Sequence, residues 1–247
     1  FIYKLFGFNF KITMASYKNL SYRINSMTEQ KSNSQVKKDD FIEIEYTALI
    51  EETSQVFDTT DEKVAKAENI FNKNTSYNPI VICVGENQIL KGLDNNLIGK
   101  EIKEKQYEIE LAPENAFGKK NPKLLQLVSQ SSFRKQNITP YHGLQINLDG
   151  ILGTVRTVTP GRIIIDFNHP LSGKTIIYKI KIKRIITDDK EKLDSLLSFQ
   201  LKDFKTEIIQ DEAIISAKNI PKQLQDILKE KITTLIPSIK KVTIKKE

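Results

Sequence analysis

From Asp39 onward the chain alternates between apolar and polar positions. In FIEIEYTALI (41–50), Ile42, Ile44, Tyr46, Ala48 and Ile50 fall on one side, and Glu43, Glu45 and Thr47 on the other. A period of two predicts a half-buried strand. A second extended piece follows at 55–60 (QVFDTT), then a short helix from Asp61 with a polar loop behind it to Asn78. Pro79 and the run IVICV, closed by Gly85, predict another strand. In QILKGLDNNLIG, Ile89, Leu93 and Leu97 recur every four residues with Leu90 beside them. That spacing predicts a short amphipathic helix stopped by Gly99. Gly92 inside it costs roughly 1 kcal/mol against alanine, so a close-packing reason is expected. Tyr107, Ile109 and Leu111 alternate in a further strand that ends at Pro113.

After Gly118 the pattern shortens. Residues 119–164 are broken by Pro122, Pro140, Gly143, Gly150, Gly153, Pro160 and Gly161, with brief alternating runs between. This is the turn spacing of a small antiparallel sheet. In TIIYKIKIKRI, Ile176, Tyr178, Ile180 and Ile182 share one face opposite Ile177, Lys179 and Lys181, as in a strand returning to the first sheet. The tail predicts a helix with Leu193, Leu196, Leu197 and Leu201 in one stripe. Two strands follow near 204–216, then a helix from Pro221 and a final strand, IKKVTIKK.

The net charge of +7 over 247 residues suggests a nucleic-acid partner until it is divided along the chain. Residues 39–118 hold 7 basic against 17 acidic side chains, whereas 1–38 and 119–164 each hold 7 against 1. An acidic stretch of that length argues against a protein built throughout to follow a phosphate backbone. The single cysteine, Cys83, excludes an internal disulfide and a cysteine-rich zinc site, and fits a reducing cytoplasm. No apolar run reaches the roughly 20 residues a membrane-spanning helix needs, so no membrane partner is expected. Residues 1–38 are basic and rich in Ser and Asn, and disorder is expected there.

Three motifs stand in order: Tyr46 followed by Val56-Phe57-Asp58, then VGENQILKGLDNNLIGK, then PENAFG at 113–118. A fourth, DFNHPLSGK at 166–174, is more specific. Together they resemble the FKBP-type peptidyl-prolyl cis-trans isomerases. The fourth resembles the signature of the SlyD branch, in which an insert-in-flap domain interrupts the isomerase domain; the extra segment 61–78 and the long tail resemble the long archaeal members of that branch. The resemblance implies an α+β fold, an antiparallel sheet wrapping a short helix. Its isomerase domain would span 39–118 and 165–186, with a small β-rich insert at 119–164. An α-β-β-α-β unit at 187–247 would follow, small enough to pack on the rest or on a second copy as a homodimer.

Carried over by position, the resemblance places Tyr46, Phe57, Asp58 and Tyr178 as the catalytic set, with Ile89, Leu90, Leu93 and Phe117 binding substrate. Leu93 stands where many relatives have a tryptophan floor. Phe117 replaces the usual tyrosine, so a weaker grip on peptide and little macrolide affinity are expected. The resemblance also implies that the insert binds unfolded or nascent proline-containing chains. Leu124, Leu125, Leu127, Val128 and Phe133 are candidates for that surface or, equally, for the insert's own core. The insert's positive charge would favour acidic clients or the ribosome's RNA.

The chemistry asked of these residues is modest. Rotation about an X-Pro bond crosses a barrier of about 18–20 kcal/mol without breaking a covalent bond. A dry aromatic pocket with a few hydrogen-bonding groups suffices, so no metal, cofactor or general base is expected. Singly, each residue has a plainer reading: Tyr46 and Tyr178 as core, Asp58 as a turn, Leu90 and Leu93 as helix packing. His169 is expected to satisfy a tight turn and Cys83 to be a buried small hydrophobe. Two rival functions stay open on the residues: a holdase with little turnover, and a nucleic-acid-binding barrel.

Overall fold

The structure, a computed structural model, describes residues 35–102, 105–148, 150–218 and 220–246. Of the segment expected to be disordered, 1–38, residues 1–34 lie outside the described residues. Its last four residues do not match that expectation. Val36 is 1% exposed and packs in the first core. Its N–H donates to the Lys100 carbonyl at 2.8 Å, and its carbonyl accepts from Gly99. An apolar side chain with both backbone groups paired is ordered, and regular structure begins before Asp39.

The first unit contains β1 (Phe41–Ile50), β2 (Val56–Thr59), α1 (Glu62–Ala67), β3 (Ile80–Cys83), α2 (Lys91–Leu97) and β4 (Tyr107–Leu111). An inserted unit follows with β5 (Leu125–Ser129), α3 (Gln130–Lys135), β6 (Gln145–Leu148), β7 (Ile151–Thr159) and β8 (Arg162–Asp166). The chain then returns through β9 (Ile176–Ile185). It ends in α4 (Asp189–Ser198), β10 (Phe204–Ile209), β11 (Glu212–Ala217), α5 (Lys222–Leu235) and β12 (Lys241–Lys246).

The first sheet runs β2-β1-β9-β4, with β3 pairing the start of β1, and its ladders are antiparallel. The alternation read from sequence puts Ile44, Ala48, Ile50, Tyr178 and Ile180 on the face that covers Leu93 and Leu97 of α2. Asp61 caps α1 by accepting from the N–H groups of Lys63 and Val64. The helix predicted from Ile89 starts later, at Lys91, with Leu90 as its extended N-cap. The cause is Asp94 in the first turn. Its buried carboxylate accepts from the Gly85 and Asn87 N–H groups at 3.0 Å, which commits 85–90 to a loop. Gly92 has the expected packing reason: a Cβ there would lie 2.2 Å from the Asn115 carbonyl oxygen.

The inserted sheet runs β5-β8-β7-β6, all antiparallel. Its core holds Phe133, Val155, Ile163 and Ile165, with Val128, Leu144, Ile146 and Phe167 against it. Ile165, Asp166 and Phe167, read from sequence as part of the returning chain, therefore pack with the insert. The helix α3 has no strong signal in sequence; Phe133 is its only buried residue. The last sheet, β10-β11-β12, pairs β11 with β12 in parallel across α5. Its core continues into the first unit through Phe41, Cys83 and Ile186, so the tail is packed on its own chain. Cys83 is buried and free, as expected for a small hydrophobe. Burial and the nearby carboxylates of Glu86, Asp39 and Asp94 push its thiol up to about 12.

Candidate active site

The alternation of β1 and β9 turns Tyr46 and Tyr178 to the same face, and the two rings meet at 5.7 Å with a 56° tilt. Antiparallel pairing of β1 with β2 sets Asp58 opposite Ala48. The Tyr46 hydroxyl donates to Asp58 Oδ2 at 2.9 Å. Behind this pair the Thr59 and Thr60 hydroxyls donate to the Tyr46 carbonyl at 3.1 and 3.3 Å, pinning the strand crossing. Phe57, next along β2, meets Phe117 edge-on at 5.9 Å. Leu93 is buried in the core below, and half-buried Ile89, Leu90 and Phe117 pack against the same core. All eight residues named from sequence thus border one apolar core, with Asp58 exposed at its rim.

Burial first, then the Asp58 carboxylate and the hydrogen bond to it, push the Tyr46 phenol well above its ordinary value. Burial and then Asp58 raise Tyr178 as well. Both therefore remain neutral donors at physiological pH. Two hollows open on other faces, and the first of them touches Tyr46. One of about 620 Å³ faces the charged outer side of β1 and β9. Another of about 930 Å³ lies between Ile80–Val81 and the tail. Neither is lined by Phe57, Asp58, Phe117 or Tyr178. Among the described residues, no three His, Cys, Asp or Glu side chains converge as metal ligands would. No helix among them is long and apolar enough to cross a membrane.

One neighbour of these residues escaped the sequence reading. His169 was read as a turn residue, and its Nδ1 does accept from the Leu171 N–H at 3.2 Å. Its ring also stacks on Phe117, centroids 4.8 Å apart and planes within 2°. The NHP motif gave the turn but not the stack, because Phe117 lies 52 positions away across the insert.

Comparison with known proteins bears on this geometry. Residues 32–132 match the family model for FKBP-type peptidyl-prolyl cis-trans isomerase, and 126–171 match that for the FKBP26 IF domain. The short-type peptidyl-prolyl cis-trans isomerase of Methanocaldococcus jannaschii is 30% identical over 150 residues, which are 61% of this chain and 94% of that one. The chain belongs to the FKBP-type peptidyl-prolyl cis-trans isomerase family. A probable FKBP-type 16 kDa isomerase of Pseudomonas fluorescens is 33% identical, over 42% of this chain and 71% of its own. The isomerase SlyD of Helicobacter pylori is 29% identical, over 47% and 64%. Like other FKBP-type enzymes, this chain is a prolyl isomerase, and its β-rich insertion follows the SlyD-like pattern.

Proposed function

We propose that Tyr46, Phe57, Asp58 and Tyr178 form the catalytic wall of a prolyl cup. Ile89, Leu90, Leu93 and Phe117 hold the proline ring in it. A peptide amide loses conjugation as it twists, and its nitrogen becomes more pyramidal and basic. An apolar cup favours that less polar state over the planar one, while the neutral Tyr46 hydroxyl and the Asp58 carboxylate hold the peptide. No side chain exchanges a proton with substrate. The observation that carries this reading is the Tyr46–Asp58 hydrogen bond set beside the Tyr46–Tyr178 and Phe57–Phe117 ring contacts on one core.

The insert adds chaperone activity in this reading. Phe133 and Val128, two of its five candidate apolar residues, are used in its core, whereas Leu124, Leu125 and Leu127 are exposed, Leu127 to 62%. By strand alternation Leu125 and Leu127 share the open sheet face with Leu152. Among the described residues the one acid on that face, Asp166, is paired with Arg156 at 3.0 Å. An apolar surface with unbalanced positive charge suits unfolded segments that mix apolar and acidic residues. Clients held there reach the cup at a raised effective concentration.

The test is proline-limited refolding with the full chain and with 122–167 replaced by a short turn. The deletion should keep turnover on short peptides and lower it on unfolded proteins. Equal losses on both would contradict separate roles. A full chain that slows aggregation yet leaves the slow refolding phase unchanged would instead favour the holdase reading.

A further inference from the structure

We infer that His169 is a positioning residue for the isomerase reaction, setting the Phe117 wall of the prolyl cup from the hinge of the insert. The inference rests on the reading that Phe117 lines that cup. Phe117 belongs to the 113–118 loop, which has no strand partner of its own. Three contacts from the returning hinge hold it. The Ser172 hydroxyl donates to the Phe117 carbonyl at 3.0 Å, and the Gly173 N–H donates to the Gly118 carbonyl at 2.8 Å. The third is the only one of these on the side chain: the imidazole lies parallel on the Phe117 ring, and Phe117 in turn meets Phe57 edge-on. Offset-parallel and edge-on contacts are the two arrangements aromatic quadrupoles favour. The hinge ring, the wall and β2 are thereby linked in sequence.

The imidazole is itself held. Because Nδ1 accepts from the Leu171 N–H, the neutral ring carries its hydrogen on Nε2, and its plane is tied to the turn. Asn168, one residue earlier, clasps the other strand of the neck. Its Oδ1 accepts from the Asn121 N–H at 2.8 Å and its Nδ2 donates to the Asn121 carbonyl at 3.1 Å. The ring that backs the cup is therefore mounted on the joint through which the insert is attached. A Phe117 free to swing would leave one side of the proline open to water, so the loss should fall on turnover in the cup.

Two substitutions separate the stack from the turn. His169→Asn keeps a side-chain acceptor for the Leu171 N–H and removes the ring. His169→Phe keeps a flat ring and removes the acceptor. The readouts are kcat/KM on a short proline peptide and the thermal midpoint, with Phe117→Ala as reference. His169→Asn should lower kcat/KM about two- to tenfold, the range that one aromatic pair corresponds to. His169→Phe should restore most of it, whatever its effect on the midpoint. A purely structural histidine gives the reverse order, with His169→Phe the worse variant, and that outcome overturns the inference. If His169→Asn is unchanged while Phe117→Ala is impaired, the inference fails and the cup stands. If Phe117→Ala is also unchanged, the cup is misplaced and the inference falls with it.

Discussion

Tyr46 shows how one residue can belong to strand, core and proposed site together. Its place in the alternation buries the ring, its carbonyl takes the Thr59 and Thr60 hydroxyls, and its own hydroxyl reaches Asp58. Burial beside a carboxylate holds the phenol, and that of Tyr178, above the ordinary value. The folded chain therefore binds both protons more tightly than the unfolded chain. The stability this gives is complete below the ordinary phenol value of about 10 and is lost as pH rises beyond it. Denaturant midpoints should fall above about pH 10, and fall less steeply in Tyr46→Phe; equal slopes would mean Tyr46 ionises as freely as in water. These residues were legible in sequence because a period-two strand dictates which side chains face inward. The Phe117–His169 stack was not, because a contact across an inserted unit leaves no periodic trace.

At the scale of elements, α2 is the sharpest case. Its apolar spacing was visible, but its start was displaced by two residues because Asp94 turns back to bind the Gly85 and Asn87 amides. That carboxylate shapes the loop carrying Ile89 and Leu90 to the proposed cup. Gly92 brings the helix against the Pro113–Asn115 turn, which leads directly to Phe117. Gly92→Ala gains helix propensity of roughly 1 kcal/mol, yet its Cβ meets backbone at 2.2 Å. Overpacking of this kind costs about 1–3 kcal/mol, so the variant should melt lower and lose turnover. A variant more stable than the parent would show that the turn yields easily. The helix α3 was missed for a related reason: six residues with one buried side chain show no 3.6-residue period.

For the whole molecule, three cores are strung on one chain, and that of the tail takes in residues of the first unit. The tail shares Phe41, Cys83 and Ile186 with the isomerase unit, while the insert hangs from the Asn121–Asn168 neck. By packing, the inserted unit runs to Phe167, three residues beyond the 119–164 read from charge and texture. Ile165 and Phe167 read as ordinary strand positions, and only packing shows which core they enter. Asp166 sits at that boundary. Burial acts to raise its carboxyl, but hydrogen bonds from Asn168 and the Arg156 guanidinium outweigh it and hold the group below the usual carboxylate range. A depressed value contributes stability above the unfolded value of about 3.9, lost as pH falls through the folded one. Amide exchange in β7 and β8 should thus accelerate below about pH 4 ahead of exchange in β1 and β9. Uniform acceleration would mean the neck has no acid-sensitive role.

The proposed prolyl cup has to work without proton transfer, through a held peptide and a dry wall. The direct measurement is kcat/KM for cis–trans exchange of a short proline peptide by the full chain and by its Tyr46→Phe, Asp58→Ala double variant. Near-ultraviolet circular dichroism confirms that both are folded. Loss of that hydrogen-bonded pair should lower the rate about tenfold or more, the equivalent of at least about 1.4 kcal/mol. A folded double variant that turns peptide over as fast as the parent would contradict it.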